Sequence, residues 1–301
     1  MTLLWIPLTI AAAFLQNVRS MLQKHLKDRL GTTGATFVRF GYGFPFALLY
    51  LAGLAVFTDL PVPQLNPRFI AIVMAGGLAQ IAGTALLVSL FDKRNFAVGT
   101  IYSKTETVQA AIFGIVFLGE TVSFNAAIGI LVSLAGVIVI SAARNPAGLR
   151  AIATSWTERP ALIGLASGAS FGIAAVSYRG ASLSLGGDGF IMQASVTLAF
   201  VLVFQTIVMA AYMAVRDPAE LRASLAAWRV AVWVGLSGAV ASIGWFTAMT
   251  IQQAALVRAL GQIELVFTLS ASTLIFRERI LRMELIGIIL VVAGIVILIL
   301  R

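Results

Sequence analysis

Residues 117–140 read FLGETVSFNAAIGILVSLAGVIVI, and residues 276–298 read FRERILRMELIGIILVVAGIVIL. Each runs from a short polar turn into about 20 apolar residues, the length an α-helix needs to cross roughly 30 Å of hydrocarbon. Sliding the chain against itself by 158 residues, without a gap, sets Glu106 on Glu264, Glu120 on Glu278, Gly129 on Gly287 and Gly136 on Gly294. Over residues 106–140 the match is eight identities in 35 positions. Apolar composition mimics part of such a match. Two glutamates coinciding at one offset are harder to obtain that way, because the whole chain holds only 12 Asp and Glu.

Working outward, apolar stretches of similar length recur over residues 3–22, 35–57, 69–90, 97–118, 123–142, 160–179, 190–214, 228–249, 255–276 and 281–300. The chain is 60% hydrophobic and 11% charged, with a mean hydropathy of +0.99. Soluble domains carry roughly 25% charged residues, so a soluble protein is excluded. The reading is an all-α membrane protein with ten transmembrane helices, because only helices and closed barrels satisfy the backbone in lipid. The first stretch lacks a basic flank and a small-residue cleavage site, and reads as a retained helix. Connections are short; the longest, 143–159, is expected to be a cytoplasmic linker between a first five-helix repeat over 1–142 and a second over 160–301.

The absence of cysteine and the single His25 exclude disulfides, iron–sulfur clusters and thiolate zinc, and leave no metal or cofactor site to expect. No phosphate loop, HExxH or GxSxG motif occurs, which argues against an enzyme and against ATP hydrolysis. The net charge of +9 is not a nucleic-acid footprint, since Lys and Arg are scattered between apolar runs. It reads as topology. Fourteen of the 21 Lys and Arg fall in connections after odd-numbered spans, whereas connections after even-numbered spans and the termini hold only Arg68, Arg179 and Arg301. Basic residues accumulate in cytoplasmic loops, so both termini are expected on the non-cytoplasmic side.

Five spans per half is an odd number, so the second half must insert upside down relative to the first. The turns agree: FLGETVSFN has no Lys or Arg, and its counterpart FRERILRME has three. Inverted repeats are typical of secondary transporters, whose sites lie near the bilayer midplane. On the two glutamate–glycine segments and on ATFVRFGYGFPFALLYL (35–51), the chain resembles the EamA-type drug/metabolite transporter superfamily along its whole length. The resemblance implies two inverted five-helix halves, export or exchange of amino acids, other metabolites, nucleotide sugars or drugs, and residence in the cell inner membrane. A proline common in that family near the positions of Glu106 and Glu264 is missing, which puts a hinge there in doubt.

Glu106 and Glu264 lie near mid-membrane, where an ionised side chain costs at least about 2.5–3.5 kcal/mol. They are candidates for substrate binding or proton coupling; the structural alternative is a buried pair with Lys104 or Arg258. Lys104 and Arg258 add cationic groups, so a zwitterion has partners of both signs. Snorkelling to an interface is the other account of Arg258, and the expected one for Arg19 and Arg39. Tyr102, Glu106, Gln109 and Phe113 fall on one helical face, a plausible cavity lining, and Trp245 is a weaker candidate in mid-span. Gly164, Gly168 and Gly172 form two overlapping GxxxG spacings that let helices approach closely. The expected function is export of small metabolites, best represented by amino acids and especially aromatic ones, with the lipid bilayer and the solute as partners and a monomer or weak homodimer as assembly. A lipophilic-cation exporter is the alternative within transport, and an intramembrane enzyme or membrane scaffold the alternative outside it.

Overall fold

The computed structural model describes residues 3–26, 30–90, 96–143, 154, 156–187, 189–274 and 280–300. Among these are fourteen helices with described bounds and no strand. They are α1 (Trp5–Leu26), α2 (Thr32–Gly41), α3 (Phe44–Phe57), α4 (Pro67–Ser89), α5 (Phe96–Ser103), α6 (Glu106–Leu118) and α7 (Phe124–Ala143) in the first half. The second half holds α8 (Arg159–Ser184), α9 (Phe190–Arg216), α10 (Pro218–Ala226), α11 (Trp228–Ile251), α12 (Ala254–Gly261), α13 (Glu264–Leu274) and α14 (Arg282–Ile299). The basic turns 91–95 and 275–279, with Lys93, Arg94, Arg277, Glu278 and Arg279, and most of the 143–159 connection lie outside the described residues.

Among the described residues, seven helices are long and apolar enough to cross a membrane, counting α2 and α3 as one stretch from Thr32 to Phe57; α1 and the pieces of the fourth and ninth expected spans are not among them. Three of the ten expected spans are interrupted. The second is split at Tyr42–Gly43, where Pro45 lies at the start of α3. The fourth and ninth are split into α5–α6 and α12–α13, whose described pieces of 8, 13, 8 and 11 residues are each too short to cross alone. The short helix α10 was not expected. It begins with a local cap, Asp217 Oδ1 accepting from Glu220 N–H at 2.9 Å, and with Pro218 in its first turn.

The chain forms two compact units, Met1–Leu78 with Ser177–Ile251 and Ala79–Val176 with Gln252–Arg301. Two of the three divisions fall within α4 and α8 and the third between α11 and α12, so neither sequence repeat is a compact unit by itself.

In the first unit α1 packs on α11, and α9 packs on α2, α3 and α11. Leu26, Leu30, Val38, Ala231 and Val234 form one of its cores. Arg19 is buried in this unit, its aliphatic stem beside Gly238, so it does not snorkel as expected. Glu220 on α10 reaches the start of α2 and accepts from the Gly34 N–H at 2.7 Å. That N–H is one of the donors a helix start leaves without an internal partner, and a carboxylate there also suits the helix dipole. Glu220→Ala is therefore expected to lower stability by about 1 kcal/mol, measurable as a shift of the thermal unfolding midpoint in detergent.

In the second unit α7 and α14 make the most extensive contact, and repeat-related glycines meet across it. A Cβ on Gly129 would lie 2.7 Å from Gly294 O, and one on Gly136 would lie 2.7 Å from Gly287 O. Gly129 opposes Gly294 and Gly136 opposes Gly287, so the two helices run antiparallel, as an inverted repeat requires. The seven-residue glycine spacing is thus spent inside the chain, on backbone-to-backbone packing. At the end of α6, Gly119 adopts φ 65° and the Glu120 N–H returns to Gly114 O at 3.2 Å. Glycine takes this left-handed closing position without a steric cost. Glu120 therefore belongs to the closing turn of α6, while Ser123 Oγ accepts from Ala126 N–H at the start of α7.

Candidate functional site

The two interrupted helices of the second unit break at equivalent places. At the repeat offset, Ser103 and Gly261 end α5 and α12, and Glu106 and Glu264 start α6 and α13. Neither break contains a proline, so both helices are interrupted without one. The chain turns tightly instead. Lys104 N–H donates to Ile101 O at 3.0 Å and Thr105 N–H to Tyr102 O at 3.2 Å; Gln262 and Ile263 N–H donate to Ala259 and Leu260 O, both at 3.1 Å. These are bonds to the third residue back, the tighter 3₁₀ pattern. In the first break, hydroxyl side chains also bond backbone carbonyls, one of them the Tyr102 carbonyl that already accepts from Thr105 N–H. Ser103 Oγ donates to Thr100 O and Thr105 Oγ1 to Tyr102 O, each at 2.7 Å. Short hydroxyl residues offer the backbone this alternative to a continuing helix.

Each break thereby makes a glutamate the first residue of a new helix, where the dipole favours negative charge. The two glutamates find their counter-ions across the repeat. Lys104 Nζ lies 3.3 Å from Glu264 Oε1, and the Arg258 guanidinium donates through Nη2 to Glu106 Oε1. Lys104 and Glu106 belong to the first half, Arg258 and Glu264 to the second, so the pairs are crossed. The basic partners are not repeat equivalents, since Lys104 aligns with Gln262 and Arg258 with Thr100. Two cations and two anions sum to no net charge. Arg258 is paired with Glu106, the buried-pair alternative, because a charge inside a helical bundle is stabilised by a close opposite charge.

The α8 glycines press on the first break. A Cβ on Gly168 would lie 2.8 Å from Ser103 O, and one on Gly172 would lie 3.4 Å from Glu106 O. This fits the close approach expected of the GxxxG spacings. Gly168→Val is expected to push the Lys104–Glu106 turn out of place and reduce transport several-fold, by analogy with overpacked cores, with flux in liposomes as the readout.

The other expected site residues divide. Glu106, Gln109 and Phe113 lie on α6, but the break interrupts the helical period before them, so Tyr102, in the last turn of α5, does not continue their face as a regular helix would require. Gln109 is anchored through Nε2, which donates to Thr105 Oγ1 at 3.0 Å and Leu165 O at 3.4 Å, while its Oε1 is buried without a donor among the described residues. Trp245 is buried on α11 and belongs to the first unit. Sequence reading passed over Gln262, although the offset that pairs the glutamates also sets it opposite Lys104. It likewise passed over the interior of the first unit. There Tyr178 stacks on Phe246 at 4.7 Å, donates to Gly76 O and accepts from Gln205, and Arg179, expected in a connection, donates to the terminal α11 carbonyls of Met249 and Thr250. Arginine near a helix end stabilises its last carbonyls.

Long apolar helices, two of them broken around a neutral set of four charges, define a multi-pass membrane protein with an ionic site inside its helices. The chain belongs to the EamA-like transporter family, whose model matches residues 3–142 and again 159–300. Membership makes it a membrane transporter of small molecules. Twenty-eight solved chains are similar. One of them, described only as "Crystal structure of protein", shares 17% identity over 98% of this chain and 96% of its own, with a TM-score of 0.74. At that identity the likeness speaks for the fold alone. No curated relative matches the sequence.

Proposed function

We propose that this chain is a secondary transporter that exports small zwitterionic metabolites across the inner membrane by alternating access, with amino acids, aromatic ones foremost, as substrates. One observation carries the reading: the crossed pairs Lys104–Glu264 and Arg258–Glu106 at two equivalent helix breaks. A zwitterion can exchange with both kinds of group, its carboxylate toward Lys104 or Arg258 and its ammonium toward Glu106 or Glu264. Binding near discontinuous helices is the usual arrangement in transporters built from inverted repeats.

In this reading α1, α2–α3, α4, α5–α6, α7, α8, α9, α11, α12–α13 and α14 are ten spans in two inverted halves. The basic connections then face the cytoplasm and both termini face away from it. Glu106, Glu264, Lys104 and Arg258 bind the solute, Tyr102 and Gln109 contribute to its surroundings, and glutamate protonation is the route by which a proton gradient would couple. The glycine faces of α7 and α14 are already used against each other, which favours the monomer as the working unit.

Counterflow of radiolabelled amino acids and quaternary amines into liposomes tests the proposal. Amino-acid counterflow reduced about tenfold or more in Lys104→Met is the expected result, since a hydrogen bond to a charged group contributes about 1.5–3 kcal/mol. Uptake of quaternary amines indifferent to Lys104→Met would replace it with a lipophilic-cation exporter. Flux of no solute would overturn transport by this site and bring back the enzyme and scaffold readings.

A further inference from the structure

Gln262 stands in the second helix break, four residues after Arg258 and two before Glu264, at the position the repeat sets against Lys104. It is only 4% exposed, and its Oε1 is closed off from solvent with no hydrogen-bond donor among the described residues. A buried amide oxygen without a donor destabilises the fold by hydration it never recovers. Such an atom calls for a partner from outside the chain or a structural reason. The nearby cations are engaged, Arg258 with Glu106 and Lys104 with Glu264. Gln109 shows the same imbalance in the first half, with its amide nitrogen anchored and its oxygen buried without a donor.

We propose that Gln262 is a specificity residue whose carboxamide oxygen accepts an N–H from the transported solute, so that a primary ammonium is preferred over a quaternary one. The inference rests on the proposed transport of amino acids and deepens it. A trimethylammonium carries the same charge as a primary ammonium and can still face a glutamate, but it has no N–H. Charge alone therefore does not distinguish the two solutes, whereas an enclosed acceptor does, because it is left unpaired by the wrong one.

The test uses the purified full-length protein with L-phenylalanine and its N,N,N-trimethyl derivative, and measures binding by ligand-induced thermal stabilisation and transport by liposome counterflow. The wild type is expected to prefer L-phenylalanine. Gln262→Met is expected to weaken L-phenylalanine binding about tenfold, the scale of one lost hydrogen bond to a charged donor, and to leave the trimethyl derivative unchanged. Without solute the variant should melt no lower than the wild type, since methionine fills a similar volume without the unpaired oxygen. Gln262→Glu, which keeps an acceptor, should retain the preference, and its loss there would overturn the proposal even if the methionine variant failed to fold. A purely structural glutamine would weaken both solutes alike and leave their ratio unmoved; that outcome overturns the role of Gln262 and leaves amino-acid transport standing. A wild type that responds to neither solute overturns the amino-acid reading and this inference together.

Discussion

Glu106→Gln is expected to reduce flux to a tenth of wild type or less and to destabilise the fold by about 3–5 kcal/mol, the range for removing one partner of a buried ion pair. The cause is Arg258. Its guanidinium donates to the Glu106 carboxylate, and a neutral amide leaves that cation inside the bundle with its nearest opposite charge gone. Loss of flux in this variant alone would not separate binding from folding. The double variant Glu106→Leu/Arg258→Met does, since replacing both members of a buried pair by apolar groups is often neutral or stabilising. Its thermal midpoint should return to within a few degrees of wild type while flux stays low. Recovery of flux together with stability would show that the pair only braces the helices, and would remove Glu106 and Arg258 from the site.

Gly136→Leu is expected to have a large effect that falls on stability. A Cβ at Gly136 would stand 2.7 Å from Gly287 O and 2.6 Å from Val291 N, so α7 and α14 would have to separate along their whole contact. Overpacking a core costs about 1–3 kcal/mol and sometimes more, and here the obstacle is backbone, which cannot change rotamer. Gly294→Leu should behave the same way, because a Cβ there would lie 2.7 Å from Gly129 O. Gly53 on α3 is the control: nothing lies within 4 Å of a Cβ at that position, and Gly53→Ala should raise stability by about 0.5–1 kcal/mol through helix propensity. The yield of monodisperse protein and its unfolding midpoint check all three. A tolerant Gly136→Leu would mean that α7 and α14 do not pack through these glycines.

Much of this organisation is legible along the chain because it depends on spacing. Apolar length marks helices that can cross lipid, and the offset linking Glu106 with Glu264 and Gly129 with Gly287 exposes the two-repeat plan before any contact is known. The helix breaks are less legible. Breaking signals are read from proline and glycine; the Ser103–Glu106 turn has neither and the Gly261–Glu264 turn only one glycine in an apolar run, and both are made by 3₁₀ bonds with, in the first, hydroxyls bonded to carbonyls. An uninterrupted apolar period hides them, which is why Tyr102 and Glu106 read as one face.

The sequence by itself determined that this is a helical membrane protein built from two related halves with a glutamate at the same place in each, since composition, length and offset are properties of the chain alone. Only the tertiary structure decided which cation meets which glutamate. Lys104 is two residues from Glu106 and Arg258 is six from Glu264, yet each pairs with the acid of the other half. The antiparallel packing of α7 on α14, glycine against glycine, belongs to the same second unit as these crossed pairs. The physical reason is that Coulomb pairing depends on distance through space, and that distance exists only once the helices have broken and packed.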